Sequence, residues 1–387
     1  MSTQTIQLDK LCDLVSVQVK PADMRDAPYL GLEHLESGRL LPAGFGGADE
    51  VGSQKAVFEP GDVLYGKLRP YLDKAVLADR HGIATTELLV LRPKPEVRPE
   101  YLVCVVHSPA FIDFAIQGVT GAQHPRTSWA HIRNFEVLDW DAHQQESIAG
   151  LLWSLYRLRM ATAAAIESAS GLKHSSMRPL FSRGLRGDEQ KETEIGPVPS
   201  SWRVGALRDL AEFQRGFDIT KSTQVVTGTV PVVSSGGVRS YHDTAAVEGP
   251  GVVLGRKGSI GSTYYVASDF WPHDTTLWCR DFHGNLPKFV FYRVQILDLK
   301  RLDSGAANPA LNRNFLHAET ISWPGVDEQK EIVDVLDALD RKIDLLCRKR
   351  EVLDQLFKSL LHKLMTGEVS VDDLDLSALP KLEGSAA

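Results

Sequence analysis

From Ile332 the apolar positions fall at Ile332, Leu336, Leu339, Ile343 and Leu346, and resume at Leu353, Phe357, Leu360 and Leu364. The steps alternate four and three, a heptad seam broken only by Arg350. Asp327 and Glu328 stand at the start, where acidic side chains suit the positive end of a helix dipole, and Gly367 follows as a stop. The pattern predicts one helix of about 38 residues, a rod roughly 60 Å long at about 1.5 Å per residue. An earlier stretch is less regular. Ile148, Leu152 and Leu155 keep the register, Arg159 and Thr162 interrupt it, and Ala161 to Ala165 are small. Ala163, Ala164 and Ala165 are expected to face a partner helix, and Pro179 predicts a kink or an end. Two equivalent seams need partners, so the reading is an antiparallel two-helix coiled coil.

The two helical stretches are copies. Residues 145–181 and 329–365 align without a gap at an offset of 184, placing Gln145 on Gln329 and Leu180 on Leu364. Leu11 to Val15 resembles Leu207 to Ala211 at an offset of 196, and Gly61-Asp62-Val63-Leu64 resembles Gly251-Val252-Val253-Leu254 at 190. A repeat of this size is a whole domain rather than a solenoid turn. The expected organisation is a globular domain over 1–142, a first long helix over 143–183, a linker over 184–200, a second globular domain over 201–326, a second long helix over 327–366 and a tail over 367–387. Glycine and proline in the linker forbid a continuing helix, and Trp202 is expected to re-enter a core.

Both globular halves carry short β-type runs broken by Gly, Pro and Asp: Val63 to Tyr65, Leu88 to Leu91, Val230 to Val233, Val252 to Leu254 and Thr263 to Val266. Helical stretches are expected from Pro99 to Gln117 and from Pro287 to Leu302. The fold class is therefore mixed α+β.

Composition narrows the function. The 387 residues are 43% hydrophobic and 24% charged, as in a soluble globular protein. No apolar run reaches the roughly 18–20 residues of a membrane span, and Met1 to Gln7 lacks the features of a signal peptide. Cys12, Cys104, Cys279 and Cys347 are far apart and read as buried thiols of a reducing, cytoplasmic compartment. Residues 1–142 hold 14 Lys and Arg against 19 Asp and Glu, a net of −5, whereas residues 201–326 hold 13 against 11, a net of +2. Any DNA binding must therefore work through local basic loops and lean on partners for affinity.

Apparent nucleotide motifs fail on chemistry. Gly61 to Leu68 has P-loop spacing but ends in Leu where magnesium needs a hydroxyl, and Pro70 opposes the required helix. Gly255 to Gly261 lacks the dinucleotide order and reads as a tight turn presenting two cations. No nucleophile–base pair, metal-ligand spacing or cofactor site is visible. What the halves share is cation-bearing loops. Lys67 and Arg69 follow a strand in the first half, and Arg256, Lys257 and Ser259 follow its counterpart. Gly121-Ala122-Gln123-His124-Pro125-Arg126-Thr127-Ser128 matches Gly305-Ala306-Ala307-Asn308-Pro309-Ala310-Leu311-Asn312, with Arg313 next, at an offset of 184. Arg and Lys bond guanine edges, and Gln or Asn bond adenine edges, in the major groove. Gly121 and Gly305 are expected to supply an unusual backbone angle.

The segment Glu194 to Trp202, the Gly-Asp-Val-Leu element at Gly61, the Gly305 to Asn312 loop and the Asp327-Glu328-Gln329-Lys330-Glu331-Ile332 helix start together carry a resemblance. The chain resembles the specificity subunit of type I restriction–modification enzymes over nearly its full length. The resemblance implies two target-recognition domains, each reading half of a split double-stranded DNA site, separated by the coiled coil. It implies two docked methyltransferase subunits, restriction–translocase subunits where cleavage occurs, and no catalysis or cofactor of its own. On that reading Lys67, Arg69, Gln123, His124, Arg126, Ser128, Arg256, Lys257, Ser259, Asn308, Asn312 and Arg313 are the candidate DNA-binding residues. Two other classes compete: a coiled-coil scaffold whose globular ends bind proteins, and a hydrolase or transferase with an unrecognised pocket.

Overall fold

The computed structural model describes residues 4–219, 228–303 and 309–374. Two compact units emerge: residues 1–164 with 348–387 (unit 1), and residues 165–347 (unit 2).

Unit 1 is built on an antiparallel four-stranded sheet in the order Cys12–Val15, Leu88–Pro93, Val63–Gly66, Ala75–Leu77. Both faces are covered, so the strands read as continuous apolar runs rather than alternating ones. Val63 and Tyr65 point into a core shared with the helix Pro99–Val106, while Leu64, between them, packs with Val76 and Val90 into a second core with Leu30 and Phe58. That second core belongs to a five-stranded sheet ordered Gln18–Val19, Lys55–Phe58, Gly82–Ala84, Pro28–Leu30, Gly46–Gly47. The strand Thr5–Gln7 pairs with Glu136–Leu138.

Unit 2 has a sheet of the same strand order: Glu212–Arg215, Thr276–Asp281, Gly251–Gly255, Thr263–Val266. Val252 and Leu254 face the helix Pro287–Gln295, and Val253 faces the other way, beside Trp278. The additional sheet here has three strands among the described residues, Gly237–His242, Val230–Ser234 and Trp271–Pro272. Arg203–Ala206 pairs with Thr320–Trp323.

Matching hydrogen bonds correct two of the repeat registers. Gly66 N donates to Lys74 O at 2.8 Å and Gly255 N to Ser262 O at 2.7 Å, so these strands correspond at an offset of 189 rather than 190. A one-residue slip exchanges the two faces of a strand, which is why Val63 corresponds to Val252 and not to Val253. Leu8 N bonds Phe135 O and Leu207 N bonds Glu319 O, at 2.9 and 2.8 Å, so Leu8, not Leu11, is the counterpart of Leu207. The sequence match there had slipped by one turn of helix, which preserves the apolar pattern.

The helical stretches are also more divided than expected. The run from Pro99 to Gln117 is two helices, because Ser108 caps Pro109–Gln117 by accepting from Phe111 N at 3.3 Å. The run from Pro287 ends at Gln295 and continues after a break as a 3₁₀ turn, Leu299–Leu302. No single helix among the described residues is long and apolar enough to cross a membrane. The bent pair Pro99–Val106 and Pro109–Gln117 is apolar because Tyr101 to Val106 are the core of unit 1.

Two long helices run Ala142–Arg183 and Val326–Met365. Within unit 1, Ile148, Leu152 and Leu155 share a core with Leu353, Phe357 and Leu364. Ile148 lies by Leu364 and Arg159 by Asp354, so the two segments run antiparallel. Within unit 2, Ile332 and Leu336 pack with Met177, Leu180 and Phe181, and Lys173 pairs with Asp340 at 2.6 Å. Leu339, Ile343, Leu346 and Leu360 are half-buried. Arg159 and Thr162 do not interrupt the first seam; they occupy it. Arg159 Nε donates to Asp354 Oδ1 at 2.6 Å, and the buried Thr162 hydroxyl donates to Leu158 O at 2.7 Å. Ala164 is exposed, Ala163 and Ala165 are half-buried, and the small residue in the seam is instead the buried Ala169. Pro179 does not end the helix. It sits one turn from Arg183, where burial of Leu180 and Phe181 holds the last turn despite one lost hydrogen bond.

The expected linker over 184–200 is folded into unit 2. Gln190–Lys191 pairs with Val198–Pro199, and the buried Trp202 donates its Nε1 to Glu328 Oε2 at 3.0 Å. Glu328 Oε1 accepts from Leu185 N, also at 3.0 Å. The acidic helix start is therefore a buried tether as well as a dipole partner. Cys12, Cys104 and Cys279 are buried and Cys347 is half-buried; burial pushes the Cys12 thiol up to about 12.

Candidate nucleic-acid interface

In each unit one buried glutamine fixes the sheet-covering helix to a long helix. Gln145 Oε1 accepts from Arg98 N at 3.2 Å, just before Pro99–Val106, and its Nε2 donates to Trp140 O at 2.9 Å. Gln329 Oε1 accepts from Leu286 N at 3.0 Å, just before Pro287–Gln295, and its Nε2 donates to Pro324 O at 3.0 Å and Asn285 Oδ1 at 2.7 Å. A fully buried amide must find such partners.

On this frame the two cationic loops meet their neighbours in the same way. Lys67 N donates to Glu87 O at 3.0 Å, and Lys67 O accepts from Thr127 N at 3.0 Å. Arg256 N donates to Thr275 O and Arg256 O accepts from Leu311 N, both at 2.9 Å. Each strand-end cation is thus clamped by its backbone between two other segments, with the side chain left to the loop cluster. The approach is close: a Cβ on Gly255 would lie 2.1 Å from Ser259 O, so only glycine fits the strand end.

Unit 1 brings together Lys67, Arg69, Gln123, His124, Arg126 and Ser128. Arg69 is exposed and left-handed (φ 52°), held by donation from its N to Pro125 O at 2.7 Å. A non-glycine residue in that region is strained, and such strain concentrates at functional loops. Gly121 also has positive φ, 92°, as expected; Gly305 and Asn308 lie outside the described residues. Gln123, His124 and Ser128 are exposed, and Ser128 precedes the short helix Trp129–Ile132 without capping it through its side chain. Arg126 is differently placed. Its Nε and Nη2 donate to Glu87 at 2.9 and 3.3 Å, and its Nη1 donates to His124 O at 3.1 Å. Glu87 thereby holds the guanidinium in its charged form and neutralises it, making Arg126 a brace of its own loop.

Unit 2 brings together Arg256, Lys257, Ser259, Asn312 and Arg313. Lys257 and Ser259 are exposed in the turn after Gly251–Gly255. Asn312 Oδ1 accepts from Asn314 N at 2.9 Å, opening the helix Arg313–Ala318. Lys67, Arg69, Lys257 and Arg313 make no ion pair among the described residues. Glu87 and Arg215 were missed by sequence reasoning. Glu87 carried a signal, an acid directly before a strand in an otherwise basic cluster. Arg215, which closes the strand Glu212–Arg215, carried none. No group of three metal-ligating side chains occurs among the described residues.

Residues 199–355 match the family described as Type I restriction modification DNA specificity domain. The chain is 20% identical, over 92% of its length and 90% of the relative's, to the type I restriction enzyme MjaVIII specificity subunit of Methanocaldococcus jannaschii. It is 24% identical, over 75% of its length and 72% of the relative's, to the putative MjaX specificity subunit of the same organism. Its fold is similar to the crystal structure of the type I restriction–modification system S subunit from M. genitalium, with a TM-score of 0.64 and 15% identity over 94% of this chain and 96% of that one.

Proposed function

We infer that this chain, which belongs to the type I restriction–modification specificity subunits, is the non-catalytic component that chooses the DNA sequence for its enzyme complex. The observation that carries the reading is the paired clamp: Lys67 and Arg256 occupy the same position in two similar sheets, each presented with polar neighbours. Two such loop clusters, on halves derived from one ancestral domain, suit a bipartite site. Because their side chains differ, the site is asymmetric rather than palindromic.

In this proposal the cations, Gln123, His124 and Asn312 supply phosphate and base-edge contacts in the major groove. The two long helices act as a coiled-coil spacer, so the gap between half-sites is built into the polypeptide. Half-sites about one helical turn apart, roughly 34–36 Å, present the same face of the duplex. Two methyltransferase subunits bind the chain and supply the chemistry, with restriction–translocase subunits added where cleavage occurs, in the cytoplasm where the DNA lies. Linking two modest readers raises affinity through effective concentration. The reading of the chain as a protein-binding scaffold lacks a comparable supporting observation.

Mapping methylated adenines in the host genome by single-molecule sequencing, with and without the gene for this chain, tests the proposal. A split motif that disappears with the gene is the expected result. A methylation pattern indifferent to the gene would remove the proposal.

A further inference from the structure

The two loop clusters are electrostatically unequal. In unit 2 a cleft is lined by Arg215, Arg256, Asn312, Arg313 and Asn314. Arg215 is balanced, since its Nη2 donates to Asp218 at 3.0 Å and Asp274 at 3.1 Å. Arg256 is not. Its Nη1 is buried without a hydrogen-bond partner, and no carboxylate pairs with it among the described residues. A desolvated guanidinium nitrogen with nothing to donate to is costly, and the group that satisfies it best is an anion entering from the cleft. Arg313, exposed on the same cleft, adds a second unbalanced cation, and Asn312, whose Oδ1 is occupied by Asn314 N, retains its amide N–H donors.

The corresponding place in unit 1 is built otherwise. Arg126, at the position of Ala310, is neutralised by Glu87, whose counterpart is the uncharged Thr275. Ser128, Trp129 and Ala130 stand where unit 2 has Asn312, Arg313 and Asn314, so that stretch offers no cation. The wider charge balance follows the same direction, −5 over residues 1–142 against +2 over residues 201–326.

We propose that the cleft of Arg256 and Arg313 is a seat for a backbone phosphate of the target duplex, so that unit 2 holds the DNA backbone at a place where the matching stretch of unit 1 offers no free cation. This rests on the reading of the chain as a DNA-specificity subunit. A phosphate oxygen accepts from the Arg256 guanidinium and from Arg313, with the Asn312 amide as a neutral donor. Phosphate is the fitting ligand because the described lining of the cleft offers donors and cations and no carboxylate, and a guanidinium meets a phosphate through parallel N–H donors.

The test is the salt dependence of binding by the full-length chain assembled with its methyltransferase subunits, on duplexes carrying the mapped target or a scrambled one. Each neutralised phosphate contributes roughly 0.9 to the slope of log K against log salt. R256Q R313Q is expected to lower that slope by about 0.9 on both duplexes, leaving the target-to-scrambled ratio within about twofold, while R256K R313K retains most of the slope. An unchanged slope in the glutamine variant, or a loss confined to the target duplex, would overturn the phosphate seat even with sequence preference intact. Absence of any preference in the wild-type complex would instead sink the specificity reading, and the slope would still decide the cleft.

Discussion

Units 1 and 2 attach the same sheet to the long helices through chemically different junctions. In unit 1 the junction is aromatic: Trp153 and Tyr156 are buried, Trp153 Nε1 donates to Glu100 O at 3.1 Å, and Arg159 stacks on the Phe357 ring at 4.6 Å. At an offset of 184 the partners of Trp153 and Tyr156 in unit 2 are Asp337 and Asp340. There the Tyr292 hydroxyl lies 2.8 Å from Asp337 and 2.7 Å from Asp340, and Lys288 and Lys173 complete the ion pairs. Desolvation and the two carboxylates push the Tyr292 hydroxyl well above its ordinary range, so it stays a donor. The difference teaches that the backbone frame, with its two glutamines, is what both copies keep. The side chains closing the junction are free to change class if they change together.

That comparison is open to perturbation. The largest effect is expected from Trp153→Ala, which leaves a cavity in the aromatic junction and costs about 4 kcal/mol in chemical denaturation. Hydrogen exchange should then show lost protection in the helix Pro99–Val106 and not in Pro287–Gln295. Equal loss in both helices would contradict a junction private to each unit. Gln329→Ala, which strands three buried hydrogen-bonding groups, is expected to cost about 3 kcal/mol, somewhat more than Gln145→Ala with its two. Near-neutral values for both would mean that the shared amide is not what fixes the frame.

Much of this frame was readable in the chain because helices repeat over long distances. The 184 offset survives across both long helices, since heptad spacing tolerates Arg159 and Thr162 while Ile148, Leu152 and Leu180 keep register. The strands were harder. Four residues buried on both faces, as in Val63–Gly66, carry no alternation, so a slip of one leaves the apolar pattern unchanged and the register wrong. The loop cations are visible in the sequence, but their ion pairing is not legible there. Glu87 reaches Arg126 from 39 positions away, and only the folded sheet brings them together. The unpartnered Arg256 was invisible for the same reason, as its balance depends on which acids the fold leaves out.

A smaller effect should separate the units by pH. His317 accepts from Phe213 N through Nε2 at 2.9 Å in unit 2. Burial, with Arg313 nearby, holds it below the ordinary histidine value of 6.5. The unfolded chain therefore takes up its proton first as pH falls, and stability declines from about pH 7 through 6.5 until the folded imidazole also protonates. His317→Gln keeps an acceptor without a charge and should remove this part of the decline, with protection in Pro287–Gln295 measured at pH 7 and 5. A decline of the same size in the variant would exclude His317 as its source.

The central claim is that each unit reads its own part of one DNA site. The most direct measurement is the methylated motif in cells carrying wild-type chain, K67A Q123A H124A chain or K257A S259A chain, each read by single-molecule sequencing. The account predicts that the first variant relaxes bases in one half of the motif and the second relaxes bases in the other half. Variants that both alter the same half, or that both leave every position unchanged, would contradict it.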